Sequence, residues 1–516
     1  MVDHRFMLWS PKLLSVLVMA IALALLLQFL LKSPYDNLFA SLLSAGKLAF
    51  LGGAAPDSDM PAQGGDSPSL VRTSYSAQPL PSPASSPRSP EKLAAISPAI
   101  AANSSSRKFP MENSPVVSIS QMNELLQQNH ASPSSSRPSL PSAVDHELMY
   151  VKSAIENAPL LKSNSGLYAP LYRNISKFLR SYELMDKMLK VYVYEEGDKP
   201  IFHESILEGI YASEGWFLKL LEANRRYVTK DPAKAHLFFL PFSSRLLQLT
   251  LYVRHSHSRD NLVQFTRDYV ELLVRKHPFW NRTNGEDHFL AACHDWAPAE
   301  TRGRMLSCLR ALCNADINAG FVIGKDISLP TVYVRSAKNP LRDVGGEPAS
   351  NRSILAFFAG YMHGRVRPAL VKLWGNDPDM RILDRLPHVK GNKNYIEHMR
   401  SSKYCVCARG YAVHSPRVVE AILYECVPVI ISDNYVPPFL EVLNWKAFAV
   451  FVLESDIGDL KRILTAIPPA TYAEMQRRVR EVQKHFLWHS EPVKFDVFHM
   501  ILHSVWFNRV FRIVNI

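Results

Sequence analysis

No C-x-x-C pair occurs in this 516-residue sequence, and its six cysteines, Cys293, Cys308, Cys313, Cys405, Cys407 and Cys426, all fall in the C-terminal half. That absence removes the usual zinc and dithiol-redox spacings. In an oxidising compartment one or two disulfides are expected instead, with the pairing open. A dense Lys/Arg block is also missing, although the formal net charge is +12. Such a balance suits an anionic polysaccharide, a nucleotide-linked donor, a lipid surface or simply a solvated basic exterior. Charge is wholly absent from Leu13 to Leu31, and large apolar side chains are scarce from about Ser33 to Ser165.

The uncharged run LLSVLVMAIALALLLQFLL is long enough to cross a bilayer as a helix. It exceeds the apolar core of a cleaved signal peptide, about 7 to 15 residues, and Gln28 to Lys32 offers no small-residue cleavage site. The expected layout is a cytosolic tail at 1–12, a membrane anchor at 13–31 and a Ser/Pro-rich lumenal stem at 32–165. Segments such as QPLPSPASSPRSP have too little apolar surface to offset the entropy of ordering. One helix is expected within the stem, near Ala143–Ala158. Asn103, Asn174, Asn281 and Asn351 each open an N-x-Ser/Thr triplet C-terminal to the span, as a glycosylated lumenal body requires.

Beyond Tyr182, short apolar runs alternate with helical stretches, the pattern of parallel α/β layers. LKVYVYE, HLFFLPF, HFLAACHDW and GFVIG make a first series; ILAFFAG, KYCVCARG, VPVIIS and AFAVFVL make a second. The expected domains are 166–345 and 346–516, the latter ending in helices that close the body.

In SPRVVEAILYECVPVIISDNYVPPF, Ser415 suits a helix N-cap and Pro416 the first helical position. Gly410 lets the preceding loop turn, Arg417 offers a forked cation for a diphosphate, and Glu420 on the same helix face can accept from a ribose diol. Asp433 follows the next strand, at a carboxyl end where α/β sheets bind ligands. An ordinary αβ unit with an internal Arg417–Glu420 pair explains the same residues, and Glu425 is assigned to structure or solvent.

The stretch GYAVHSPRVVEAILYECVPVIISDNYVPPFLEVLNW resembles the signature of the exostosin-type glycosyltransferases, especially the plant members. YASEGWF, DPAKAHLFFLPFS, DHFLAACHDW, GKDISLP, LAFFAGYMHGRVRP and QKHFLWHS extend the resemblance, in order, from about Leu189 onward. The resemblance implies a GT-B fold, two Rossmann-like domains facing across a cleft, on a Golgi type II membrane anchor with the catalytic body in the lumen. It also implies inverting, metal-independent transfer from a nucleotide sugar, usually a UDP-sugar, to a cell-wall polysaccharide such as hemicellulose or pectin, with no cofactor. Glu420 would then hold the ribose, with Ser415 and Arg417 near the diphosphate. A catalytically silent glycan-binding or scaffold subunit of a Golgi transferase complex is the alternative.

Gly360, His363, Gly364 and Arg367 lie in the loop after the first strand of the second series and can approach the donor. An inverting reaction needs a base, and Asp295 or His294, ending a strand of the first series, can serve, with Glu214 a third candidate. Lys325 and Asp326 are expected to pair with each other, and the D-x-D of Asp377 and Asp379 reads as a polar turn, leaving no metal site expected. His255 and His257 read as surface residues. Ala412 stands where the signature often has an acid, and His414 where it often has a small or amide side chain; both bear on donor choice or activity.

Overall fold

The computed structural model describes residues 115–132, 142–160, 166–387, 389 and 393–513. The expected tail and membrane span, and Asn103, lie outside them. Among the described residues no helix is long and apolar enough to cross a membrane.

Two all-parallel sheets carry the architecture. The first contains β1 (Val191–Val193), β2 (Val228–Thr229), β3 (Leu237–Phe239), β4 (His288–Ala292), β5 (Leu309–Leu312) and β6 (Ile327–Ser328), in the order β2-β1-β3-β4-β5-β6. The second contains β7 (Ile354–Ala359), β8 (Met380–Leu383), β9 (Ser402–Ala408), β10 (Val427–Ile431) and β11 (Val450–Phe451), in the order β11-β10-β9-β7-β8. Helices cover the faces, so β3, β4, β5 and β10 are buried at every residue, as apolar runs without alternation foretell. Pro428 is tolerated within β10 because it sits opposite Cys405 of β9, before the two-residue ladder to β11 begins at Val429.

Two expectations need correction. GFVIG is not a strand: Gly320 and Gly324 take positive φ (89° and 80°), and the sixth strand forms beyond it at Ile327–Ser328. The stem, expected to carry one helix near Ala143–Ala158, carries two. A helix at Ala143–Glu156 buries Leu148, Val151 and Ile155, and a second, unforeseen, at Ile119–Ala131 buries Ile119, Met122 and Leu126; each begins with a capping box, Ser142/Asp145 and Ser118/Gln121. The closing helix Val497–Phe511, buried at every position but His499, packs against β5, β6 and the helices Ile119–Ala131, Ala143–Glu156 and Ile175–Met188. It completes the first sheet's layer although it ends the second half of the sequence.

The four paired cysteines are Cys293–Cys313 and Cys405–Cys426; Cys308 and Cys407 are free and buried. The two sheets belong to one compact unit and meet through hydrogen bonds from Val436 N–H to the Ala315 carbonyl and from the Ser328 hydroxyl to the Val436 carbonyl.

Candidate active site

Across this junction the loop that follows β9 meets the carboxyl end of β4, through His414 and Asp295. The helix following β9 spans Arg417–Leu423, shorter and later than expected. Pro416, already in αR geometry, occupies the cap position without a side-chain cap bond, so Ser415 is not the N-cap. The Ser415 hydroxyl instead lies 3.4 Å from the Arg417 N–H and 3.5 Å from its Nη1. Arg417 donates from Nη2 and Nε to the Ala359 carbonyl at the end of β7 (2.8 and 3.3 Å), with its guanidinium over the Phe358 ring. A Cβ at Gly360 would lie 2.0 Å from Arg417 Nη2, so a larger residue there would displace the guanidinium from this position.

Glu420 is buried, and its Oε2 accepts from the Tyr395 hydroxyl at 3.1 Å. Burial, followed by the Glu420 charge, pushes the Tyr395 phenol well above its usual range, so it stays a donor. Glu425 is structural as expected, gripped by Arg480 through both oxygens (3.0 and 2.8 Å).

Arg367 turns inward, donating to the carbonyls of Tyr361 (3.1 Å) and Ala408 (3.4 Å). Those bonds tie the β7 and β9 loops together, and Gly364 (φ 68°) meets Gly410 there, a Cβ at 364 falling 2.4 Å from the Gly410 carbonyl oxygen. His363 stacks beside Tyr411, ring centroids 4.7 Å apart. Asp433 exchanges bonds with Glu454, each backbone N–H donating to the other's carboxylate at 3.1 Å. Burial pushes the Asp433 carboxyl up. Arg409 pairs with both Glu454 (3.5 Å) and Asp316 (3.9 Å) of the first half.

From the first sheet, Asp295 follows β4. Its Oδ1 lies 2.9 Å from His414 Nε2, and His414 Nδ1 lies 2.8 Å from the Thr331 hydroxyl. An ionised Asp295 only accepts, so His414 Nε2–H is the donor of that bond, and His414 Nδ1 faces the Thr331 hydroxyl. Burial pushes the Asp295 carboxyl up, but hydrogen bonding and charge from His414, aided by His294 and a bond from Tyr211, hold it below the ordinary range. The Asp295 side chain keeps 33% of its surface exposed, whereas His294 is 5% exposed. Burial lowers the His294 pKa to about 4, and its Nδ1 accepts from the Trp296 N–H (3.3 Å), leaving its proton on Nε2. His294 is therefore neutral and poorly placed as a base. Glu214 is also withdrawn, accepting from Ser243, the Arg245 N–H and the Cys293 N–H.

An exostosin GT47 domain matches residues 185–467. The chain belongs to the exostosin GT47 family and is a glycosyltransferase. It is 43% identical over 364 residues to a probable glycosyltransferase of Arabidopsis thaliana, covering 70% of each chain. A second probable glycosyltransferase of that plant is 44% identical over 361 residues, covering 69% of this chain and 74% of the relative. A probable beta-1,4-xylosyltransferase of Arabidopsis thaliana is 27% identical over 349 residues, covering 61% of this chain and 81% of the relative.

The remaining polar positions of this glycosyltransferase have plain structural partners. Lys325 and Asp326 pair at 2.5 Å in the interior, with Arg310 on the same carboxylate. Asp377 and Asp379 share Lys461, at 2.9 and 2.7 Å. His255, His257, Asn174, Asn281 and Asn351 are exposed. Sequence reasoning missed Tyr395, Thr331, Tyr211 and Arg409. Thr331 and Arg409 sit near GKDISLP and at the end of KYCVCARG, but residue type alone gives no signal for any of the four.

Proposed function

We propose that this glycosyltransferase moves a sugar, with inversion and without metal, from a nucleotide sugar of the UDP class to a hydroxyl of a cell-wall polysaccharide such as hemicellulose or pectin. The observation that carries the reading is the His414–Asp295 hydrogen bond, which joins the loop leading into the Arg417–Leu423 helix, with its Arg417 and Glu420, to a partly exposed carboxylate from the opposite sheet. Relatives named as probable xylosyl- and glucuronosyltransferases fit a nucleotide-sugar donor.

In this proposal Glu420, with about four lone-pair sites and one taken by Tyr395, holds the ribose. Arg417 and Ser415 face the diphosphate, with Gly360, Gly364 and Gly410 allowing close backbone approach; His363, Arg367 and Asp433 shape the loops around it. The acceptor oxygen attacks the anomeric carbon from the face opposite the diphosphate. The bond from that carbon to the phosphate oxygen breaks, its electron pair leaves with the nucleoside diphosphate, and the hydroxyl proton passes to Asp295. We further propose a Golgi type II placement with this body in the lumen, supported by the charge-free run Leu13–Leu31, the exposed sequons and the two disulfides. Glycosylation at Asn103, Asn174, Asn281 and Asn351 belongs to that placement.

The test is UDP binding by full-length protein in detergent. Glu420→Ala removes hydrogen bonds to a charged group, worth about 1.5–3 kcal/mol, so affinity should fall by roughly 10- to 100-fold. Unchanged UDP affinity in a folded variant overturns the donor-site assignment.

A further inference from the structure

Tyr361 and Tyr411 are 61% and 67% exposed, far more than the other aromatic side chains around the cleft. They are not scattered. His363 lies between them, its ring centroid 5.9 Å from Tyr361 and 4.7 Å from Tyr411, with interplanar angles of 43° and 37°. The three rings form a tiled, gently curved track on the loops that follow β7 and β9.

The track is firmly mounted. Arg367 donates to the Tyr361 carbonyl from beneath, the His363 N–H donates to that same carbonyl (2.9 Å), and Gly364 locks against the Gly410 carbonyl immediately before Tyr411. Rigid, exposed and amphipathic rings are the side chains that bind flat ligands at low entropic cost. A contiguous exposed aromatic surface at a cleft is the ordinary mark of a binding site.

We propose that Tyr361, His363 and Tyr411 form an acceptor subsite that carries a glycan chain into the cleft. This inference rests on the proposed reading of the cleft as the place of transfer. A pyranose offers an apolar C–H face to each ring and hydroxyls to the phenol and imidazole tips. A nucleobase uses one stacking ring, whereas successive sugars of a chain use several in a row. A row of three rings therefore favours an oligosaccharide, and the loop that carries Tyr361 starts at Gly360, beside the Arg417 guanidinium.

The experiment uses full-length protein in detergent on an array of hemicellulosic and pectic oligosaccharides, with UDP binding measured in parallel. Wild-type protein should bind at least one oligosaccharide. The Tyr361→Ala/Tyr411→Ala double variant should bind it about tenfold or more weakly while Tyr361→Phe/Tyr411→Phe keeps most of the affinity, because stacking survives in phenylalanine. UDP affinity should be the same in all three. Equal glycan binding by the alanine variant, loss of UDP with glycan retained, or no oligosaccharide bound by wild-type protein overturns the proposal. Glu420→Ala separates the two readings: if it keeps UDP while the alanine double variant loses the glycan, the donor assignment fails and the aromatic track stands.

Discussion

Asp295 is governed by a contest between burial, which raises its pKa, and the hydrogen bond and charge of His414, which lower it. Removing His414 takes away the largest of the effects that oppose burial. His414→Ala should therefore move the acidic limb of the kcat/KM profile to higher pH, while His414→Gln, which can still donate, restores part of the shift. A purely structural His414 would lower activity at every pH and leave that limb in place. The sequence singled out both residues, Asp295 as a strand-end acid and His414 as a departure from the signature. Their contact was not legible, because 119 residues separate them and Thr331 lies 83 from His414. Ser415 failed as a cap for a local reason: Pro416 already holds αR geometry, and the helical turn begins after it.

The strands were legible where they were long and apolar, as in β4, β7, β9 and β10, and illegible at β2 and β6, two residues each; the equally short β11 was legible only because it lies in the longer run AFAVFVL. Length matters because two residues carry no period. The stem helices show the complementary failure: Ile119–Ala131 has a capping box and an apolar stripe, but sparse apolar composition around it obscured both. Among the elements, the Arg417–Leu423 helix is enclosed in the loop closed by Cys405–Cys426, a sequence separation of 21. A loop of that size restricts the unfolded chain by about 3 kcal/mol. Cys405→Ser/Cys426→Ser should lower stability by about that amount in denaturant titration and weaken UDP binding as well. A stability loss with UDP affinity intact would show the helix is held by packing alone.

Burial of ionisable groups sets the pH response of the whole molecule. Burial holds His130, His294 and His485 at about 4 and His503 at about 3, below the ordinary 6.5. The unfolded chain binds protons at these sites first, so their contribution is present above pH 6.5 and is lost as pH falls toward 4. Glu300 runs the other way: burial raises it to about 8, so its contribution is present below 4.5 and lost as pH rises toward 8. Thermal unfolding midpoints should peak near pH 6.5, falling more steeply on the acid side because four histidines oppose one glutamate there. A midpoint rising steadily from pH 6.5 down to 4.5 would contradict this assignment. The closing helix, too, belongs to this scale: its burial was readable, but its packing against the first sheet depends on contacts with helices more than 300 residues away.

Asn434, one residue beyond Asp433, accepts from the Val117 N–H through Oδ1 and donates to the Pro115 carbonyl through Nδ2. Pro115–Val117 is therefore fastened to the turn that follows β10, across a sequence separation of 317. One amide side chain sews the first described stretch of the chain onto the end of the second sheet, and Asn434→Ala cuts both stitches at once.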